Sequence, residues 1–232
     1  MRKRLLLIGL LVVGVALLSG CELIDQLIDQ IAGGGTGGGT GGGTTSGVVN
    51  FPDPVLESAI RVSISKPTGD IYQSDLEWVL SLDASNCNIV NLEGIQYCTE
   101  LTRLHLYLNQ ITDISPLSGL TNLTNLSLGE NQIVNISALS GLTNLTWLDL
   151  GENQIVDISS LSGLTNLTAL RLQHNQVVDI SPLVSNTGID NGDDVAIWSN
   201  NLCLSPGSPD QLNVEALLSC GVNVTYSDQT CL

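Results

Sequence analysis

One phrase, repeated four times at an unvarying interval, constrains this chain more than any other feature. Leu101-Thr-Arg-Leu104-His-Leu106-Tyr-Leu-Asn109-Gln-Ile111 returns as Leu123…Leu126-Ser-Leu128…Asn131-Gln-Ile133. It returns again as Leu145…Leu148-Asp-Leu150…Asn153-Gln-Ile155, and as Leu167…Leu170-Arg-Leu172…Asn175-Gln-Val177. Each step is 22 residues. A fixed period in this range means stacked units, none of which buries its apolar face alone. The chain is therefore a solenoid, and a solenoid is above all a surface.

Two periods are mixed within each copy. The alternation at Leu104 and Leu106 marks a short strand with one face inward, and strands from successive copies form one parallel sheet. A sharp bend follows, and a buried Asn amide suits the backbone groups that the bend leaves unpaired. The expected ladder is Cys87, Asn109, Asn131, Asn153, Asn175 and Asn200. A second apolar string, Ile114, Leu117 and Leu120 in the first clean copy, packs the convex side. Segments such as Ser115–Leu120 are too short for α-helices and read as 3₁₀ turns. One step before Leu101 the pattern persists weakly through Val79, Leu82, Ala84, Cys87, Ile89 and Leu92. Beyond the last clean copy it resumes at Val195-Ala-Ile197-Trp-Ser-Asn200, offset by 25, so the Ser185–Asp194 loop carries three extra residues. About six repeat strands result.

The ends have other jobs. Arg2, Lys3 and Arg4 precede an apolar run from Leu5 to Leu18, short for a membrane span and right for an export signal. The run closes in Leu18-Ser19-Gly20-Cys21, which resembles the bacterial lipobox. The resemblance implies cleavage before Cys21 and lipidation of that residue. Glu22 rather than Asp follows, which by resemblance to Gram-negative lipoproteins implies outer-membrane sorting. Leu23, Ile24, Leu27, Ile28 and Ile31 share one helical face. That segment reads equally as a helix that lies on the membrane or self-associates, or as a frayed tether, because a helix so short is marginal in water. Residues 33–47 are a Gly/Thr linker spanning roughly 20–25 Å on average. Asp53 followed by Pro54 reads as the start of a covering helix, with Asp53 as N-cap. Ser208–Leu218 reads as a second helix and Val222–Tyr226 as a last strand.

The repeats of the form LTNLTxLxLxxNQIxDISPLSG resemble the bacterial leucine-rich repeats of internalins and related surface proteins. The opening segment FPDPVLESAIRVSISKPTGDI and the stretch LDASNCNIVNLEGIQYCTELTRL resemble the start of many such proteins. The resemblance covers about Asn50 to Tyr226. It implies an α/β leucine-rich repeat solenoid with a short parallel β-sheet on its concave face. The convex side would be 3₁₀ or irregular, and helical caps would close the N- and C-terminal ends. Unlike internalins, the sequence shows no following immunoglobulin-like domain and no C-terminal sorting signal, and its anchor is N-terminal. The resulting division is 1–20 signal peptide, 21–47 lipidated Cys, amphipathic segment and linker, 48–78 N-terminal cap, 79–202 repeats and 203–232 C-terminal cap.

Charge narrows the partners. The formal net charge is −16, and the three basic residues of the signal make the remainder more negative still. Only Arg61, Lys66, Arg103 and Arg171 then stand against 23 acidic residues. Nucleic acid requires a basic footprint and is excluded as a partner. The acidity reads as solubility or as a match for a cationic partner. Export permits disulfides. Cys87 in the turn ladder and Cys98 at a core position are expected unpaired. Cys203 and Cys220 flank the second helix and are the expected disulfide, with Cys231 as the rival partner of Cys220. The cysteine spacing fits no metal site. The Asp190-Asn-Gly-Asp-Asp194 loop is better read as an ordinary turn than as a Ca²⁺ site. No cofactor is implied.

If Leu104 and Leu106 point inward, Arg103, His105 and Tyr107 point out of the concave face. The same columns hold Asn125, Trp147, Asp149 and Arg171, with Trp198 at the far end. Core letters barely change between copies while these outward letters do, as expected where packing fixes the first set and leaves the second free. The aromatic and arginine cluster around Trp147 is the kind that anchors interfaces. Protein or peptide recognition, or adhesion, is the expected function, and a glycan stacked on Trp147, Tyr107 and Trp198 is the alternative. His105, Asp149 and the serines lie on a broad open face without a nucleophile elbow or lid, so an enzyme is not expected. The membrane contact would be the lipid anchor alone, at the bacterial cell envelope.

Overall fold

The computed structural model describes residues 47–227. Its chain order is α1 (Pro54–Ser63), α2 (Gln73–Leu76), β1 (Ser81–Asp83), β2 (Arg103–His105), β3 (Asn125–Ser127), β4 (Trp147–Asp149) and β5 (Ala169–Arg171). Then come α3 (Ser181–Ser185), β6 (Asp194–Ala196), α4 (Pro209–Ser219) and β7 (Asn223–Thr225). The strands form a seven-stranded sheet in sequence order, and every pairing is parallel. The register advances by 22 residues from Ser81 through Arg103, Asn125 and Trp147 to Ala169, then by 25 to Asp194. This is a leucine-rich repeat solenoid, and the three-residue insertion lies in the predicted loop.

Each strand is three residues long because only one inward residue per strand is needed. Leu82, Leu104, Leu126, Leu148, Leu170 and Val195 are all buried, as are Leu106, Leu128, Leu150, Leu172 and Ile197 one step further on. The convex string Ile114, Leu117 and Leu120, with its copies, closes the same core from the other side. Three-residue 3₁₀ turns at 115–117, 137–139 and 159–161 carry that string. A side-chain oxygen starts each: Asp113, Asn135 and Asp157 accept from the backbone N–H of Ser115, Ser137 and Ser159 at 2.8–2.9 Å. These short polar side chains mimic a backbone turn.

The asparagine ladder has the bonding that the bend demands. Asn153 Oδ1 accepts from Ile133 N–H at 2.9 Å, while Nδ2 donates to the Leu128 and Leu150 carbonyls at 3.0 and 3.1 Å. Asn131, Asn175 and Asn200 repeat this set one coil at a time. Asn109 does the same, and its Oδ1 additionally accepts from Cys87 N–H. Cys87 opens the ladder, where no earlier coil needs an amide, and its thiol donates to the Ser85 carbonyl. One feature of the bend is absent from any reading of residue types. The residue before each ladder position, Cys87 included, sits in the left-handed region, with φ between 51 and 57° at Asn86, Leu108, Glu130, Glu152, His174 and Ser199. Such conformations are strained for non-glycine residues and persist only where the surroundings enforce them.

At the N-terminal end Asp53 has two duties. Its Oδ1 accepts from Val55 and Leu56 N–H and so caps α1, while Oδ2 accepts from Val90 and Asn91 N–H of the first repeat. Leu56, Ala59 and Ile60 of α1 join the repeat core. Phe51 lies over Gly94, whose φ is 101°. At the other end Ser208 is the N-cap of α4, and Val214 and Leu217 are buried in the same core.

The cysteines require a correction. Cys203 is disulfide-bonded, but Cys220 is a free, exposed thiol at the C-terminal end of α4. The two flank an 11-residue helix, which holds its ends about 16 Å apart. A disulfide needs Cα atoms within about 7 Å. The partner of Cys203 lies outside the described residues, as do Cys231, the signal segment, Cys21 and the linker. Cys98 is a buried thiol pushed up to about 12 by desolvation. Among the described residues no helix is long and apolar enough to cross a membrane.

Candidate functional site

Strand pairing turns the outward letters into three columns. Arg103, Asn125, Trp147 and Ala169 form the first, and His105, Ser127, Asp149 and Arg171 the second. Two residues past each strand a third column runs through Tyr107, Gly129, Gly151 and Gln173. Arg103, Tyr107 and Arg171 are exposed, His105, Asn125, Trp147 and Trp198 half-buried, and Asp149 buried.

Trp147, Asp149 and Arg171 meet. The Arg171 guanidinium lies 5.6 Å from the Trp147 ring centroid, within cation–π range. Its Nη1 is 3.8 Å from Asp149 Oδ2. Asp149 Oδ1 accepts from Gly151 N–H at 3.0 Å. Desolvation nevertheless dominates and pushes the Asp149 carboxyl above its ordinary range, with the Gly151 N–H and Arg171 opposing and Glu130 adding to the rise.

A second group lies in the third column, and its residues were only partly foreseen. Tyr107 leans across the coil and its hydroxyl donates to Glu130 Oε1. That bond, with burial and the charges of Glu130, Glu152 and Asp149, pushes the phenol up to about 12. Space for this comes from two glycines. A Cβ on Gly129 would stand 3.2 Å from both Asp149 Oδ1 and Tyr107 Cδ2, and one on Gly151 would collide with the Gln173 amide. Gly129 and Gly151 thus make a trough floored by backbone, crossed by Tyr107, Asp149 and Gln173. The Gln173 Oε1 is buried without a hydrogen-bond partner. The sequence signal for the trough was the pair of glycines in a column that otherwise holds large side chains.

Trp198 is set apart. It packs edge-on against His174, with ring centroids 4.3 Å apart at 73°. It lies two strands away from Trp147 and four residues further along the strand direction, a separation of about 16 Å. The strand spacing alone, about 10 Å, understates this distance. At about that separation the two indoles would not stack on one sugar ring. Around the inserted loop, Asp193 is buried and its carboxylate accepts from Asp190 N–H, closing the turn.

Known proteins share this architecture. The leucine rich repeat family model matches residues 121–177, and a two-copy leucine rich repeat model matches 99–142. Internalin H of Listeria monocytogenes is 42% identical over 66 residues, which cover 28% of this chain and 12% of that protein. The crystal structure of an internalin (InlF) from Listeria monocytogenes superposes with a TM-score of 0.65 at 36% identity, over 77% of this chain and 52% of that one. The functional domain of InlJ from Listeria monocytogenes, which includes a cysteine ladder, superposes at 0.53 with 24% identity, over 78% and 46% of the two chains. This chain thus spans about half of InlF and a small part of Internalin H. Fold and repeats together define a leucine-rich repeat protein. More narrowly, its repeats are similar to those of internalins, and its asparagine ladder is opened by a single cysteine.

Proposed function

We propose that this chain is a lipid-anchored protein of the bacterial cell envelope that holds a protein or peptide partner on its concave face. The observation that carries the reading is the contact of Trp147, Arg171 and Asp149 at the middle of the sheet. Tryptophan and arginine dominate binding energy where they meet in a partly desolvated patch. Arg103, His105, Tyr107 and Asn125 extend the surface, and Trp198 supports it from the C-terminal side. The internalin-like repeats favour recognition or adhesion over turnover. The separation of Trp147 from Trp198 favours a protein partner over a stacked glycan. Cys21 carries the anchor in this reading, and the outer membrane is its destination.

The test is photo-crosslinking on intact cells, with a photoreactive residue replacing Asn125, beside Trp147 in the same column, in one strain and the exposed convex Gly163 in another. A discrete adduct from position 125, absent from 163 and lost in Arg171→Ala, is expected. Equal adducts from both faces, or none from 125, would overturn the concave reading. Loss of membrane association in Cys21→Ser checks the anchor separately.

A further inference from the structure

Away from the concave face, the edge where the chain enters each strand is knitted by side chains. Thr102, Thr124, Thr146 and Thr168 donate their hydroxyls to the carbonyl of the residue 22 positions earlier, at 2.9–3.1 Å. Asn122, Asn144 and Asn166 donate to the Thr99, Thr121 and Thr143 carbonyls at 2.8–3.0 Å. The clean repeats therefore read Thr-Asn-x-Thr along this edge. One coil earlier the same positions read Glu77-Trp78-Val79-Leu80, and Glu100 replaces the first Asn.

No repeat coil precedes the first one, and the residues 22 and 23 positions before Leu80 and Trp78, Ser58 and Val55, lie in α1, so the edge pattern of Asn and Thr has no counterpart to bond there. That removes the need for them and does not account for what stands in their place. Trp78 is 81% exposed and Leu80 58% exposed. They line a groove of about 540 Å³ with Glu77, Thr99 and Glu100. A large indole left in water offers apolar area to a partner. Among the described residues no ion pair engages Glu77 or Glu100. Two uncompensated carboxylates beside an indole and a leucine are complementary to a cation on an apolar stem: the carboxylates take the charge, the ring face takes the cation, and Leu80 takes the methylenes.

We propose that the Glu77–Trp78–Leu80–Glu100 groove is a second docking site, separate from the concave face, for a basic peptide segment in which arginine or lysine alternates with an apolar residue. The two carboxylates select against an acidic partner or an anionic membrane surface. The probe is acetyl-Arg-Leu-Arg-Leu-amide, titrated into the full chain bearing Cys21→Ser so that no acyl chain is attached. The chain is labelled with fluorotryptophan, and the three tryptophan lines are assigned by Trp→Phe variants. The Trp78 line should shift saturably, the shift should weaken as salt rises, and Glu77→Gln with Glu100→Gln should raise Kd about tenfold.

No shift at Trp78 would overturn the proposal, as would an equal shift with the corresponding Glu-Leu peptide. A shift produced by phosphatidylcholine vesicles in place of the peptide would assign the groove to the membrane instead. The Trp147 line reports the concave face in the same spectra, so failure at Trp78 leaves the concave reading standing.

Discussion

At the scale of single residues, the most informative contrast is between Asn153 and Cys87. They occupy equivalent places, yet Asn153 bonds four backbone groups of two coils while the Cys87 thiol donates to the Ser85 carbonyl at the end of the stack. Removing a partner strands each buried group at about 1–3 kcal/mol. Asn153→Ala is expected to cost about 3–5 kcal/mol by urea denaturation, and Cys87→Ala about 1 kcal/mol. Similar losses at both positions would contradict the bonding scheme. Asp149 supplies a pH test. Burial raises its carboxyl from 3.8, so the folded state holds that proton more tightly than the unfolded one. Its contribution is favourable below about pH 3.8 and is lost as pH rises through the higher folded value. Asp149→Asn is therefore expected to be more stable than the parent at neutral pH, with the advantage fading in acid. An advantage that grew in acid would contradict the sign.

At the scale of elements, much was legible in advance. The strand columns, the inserted loop and α1 with Asp53 as its cap follow from spacing and residue type alone, because packing period and cap chemistry are local. Less legible were features that depend on what lies across the coil. Tyr107 leans onto Glu130 because Gly129 leaves the way open, and the residues of left-handed φ include Leu, Glu and His, none of which announces that geometry. Cys203 and Cys220 look paired from their places on either side of α4, but the length of that helix keeps them apart, and Cys220 is a free thiol. Gly94 links both kinds of information. Its φ of 101° and its contact with Phe51 leave no room for a Cβ, which would stand 2.5 Å from Phe51 Cδ1. Gly94→Ala is expected to destabilise the N-terminal end by about 2–4 kcal/mol through strain and displaced packing. Native-state hydrogen exchange would show the loss in α1 first; uniform loss along the solenoid would contradict this localisation.

At the scale of the whole molecule, the core is continuous from α1 to α4, and the thiols report on its integrity. Cys98 is buried and pushed up to about 12, whereas Cys220 is exposed. Thiolates, not thiols, are alkylated. Brief iodoacetamide treatment of the native protein is expected to modify Cys220 and to spare Cys98 until the chain unfolds, with peptide mass spectrometry as readout. Early modification of Cys98 would mean that the core opens locally.

The pairing of Val48 with Tyr72 has a consequence in mechanics. Among the described residues, force applied at residue 47 first meets this antiparallel bridge, held by Val49 N–H to the Ile71 carbonyl and Gln73 N–H to the Gly47 carbonyl. Those two bonds load before α1 and long before the ladder. Pulling at residue 47 would thus strip a short sacrificial clasp first and draw out the segment between 47 and 72 only after α1 yields, while the repeat sheet keeps its shape.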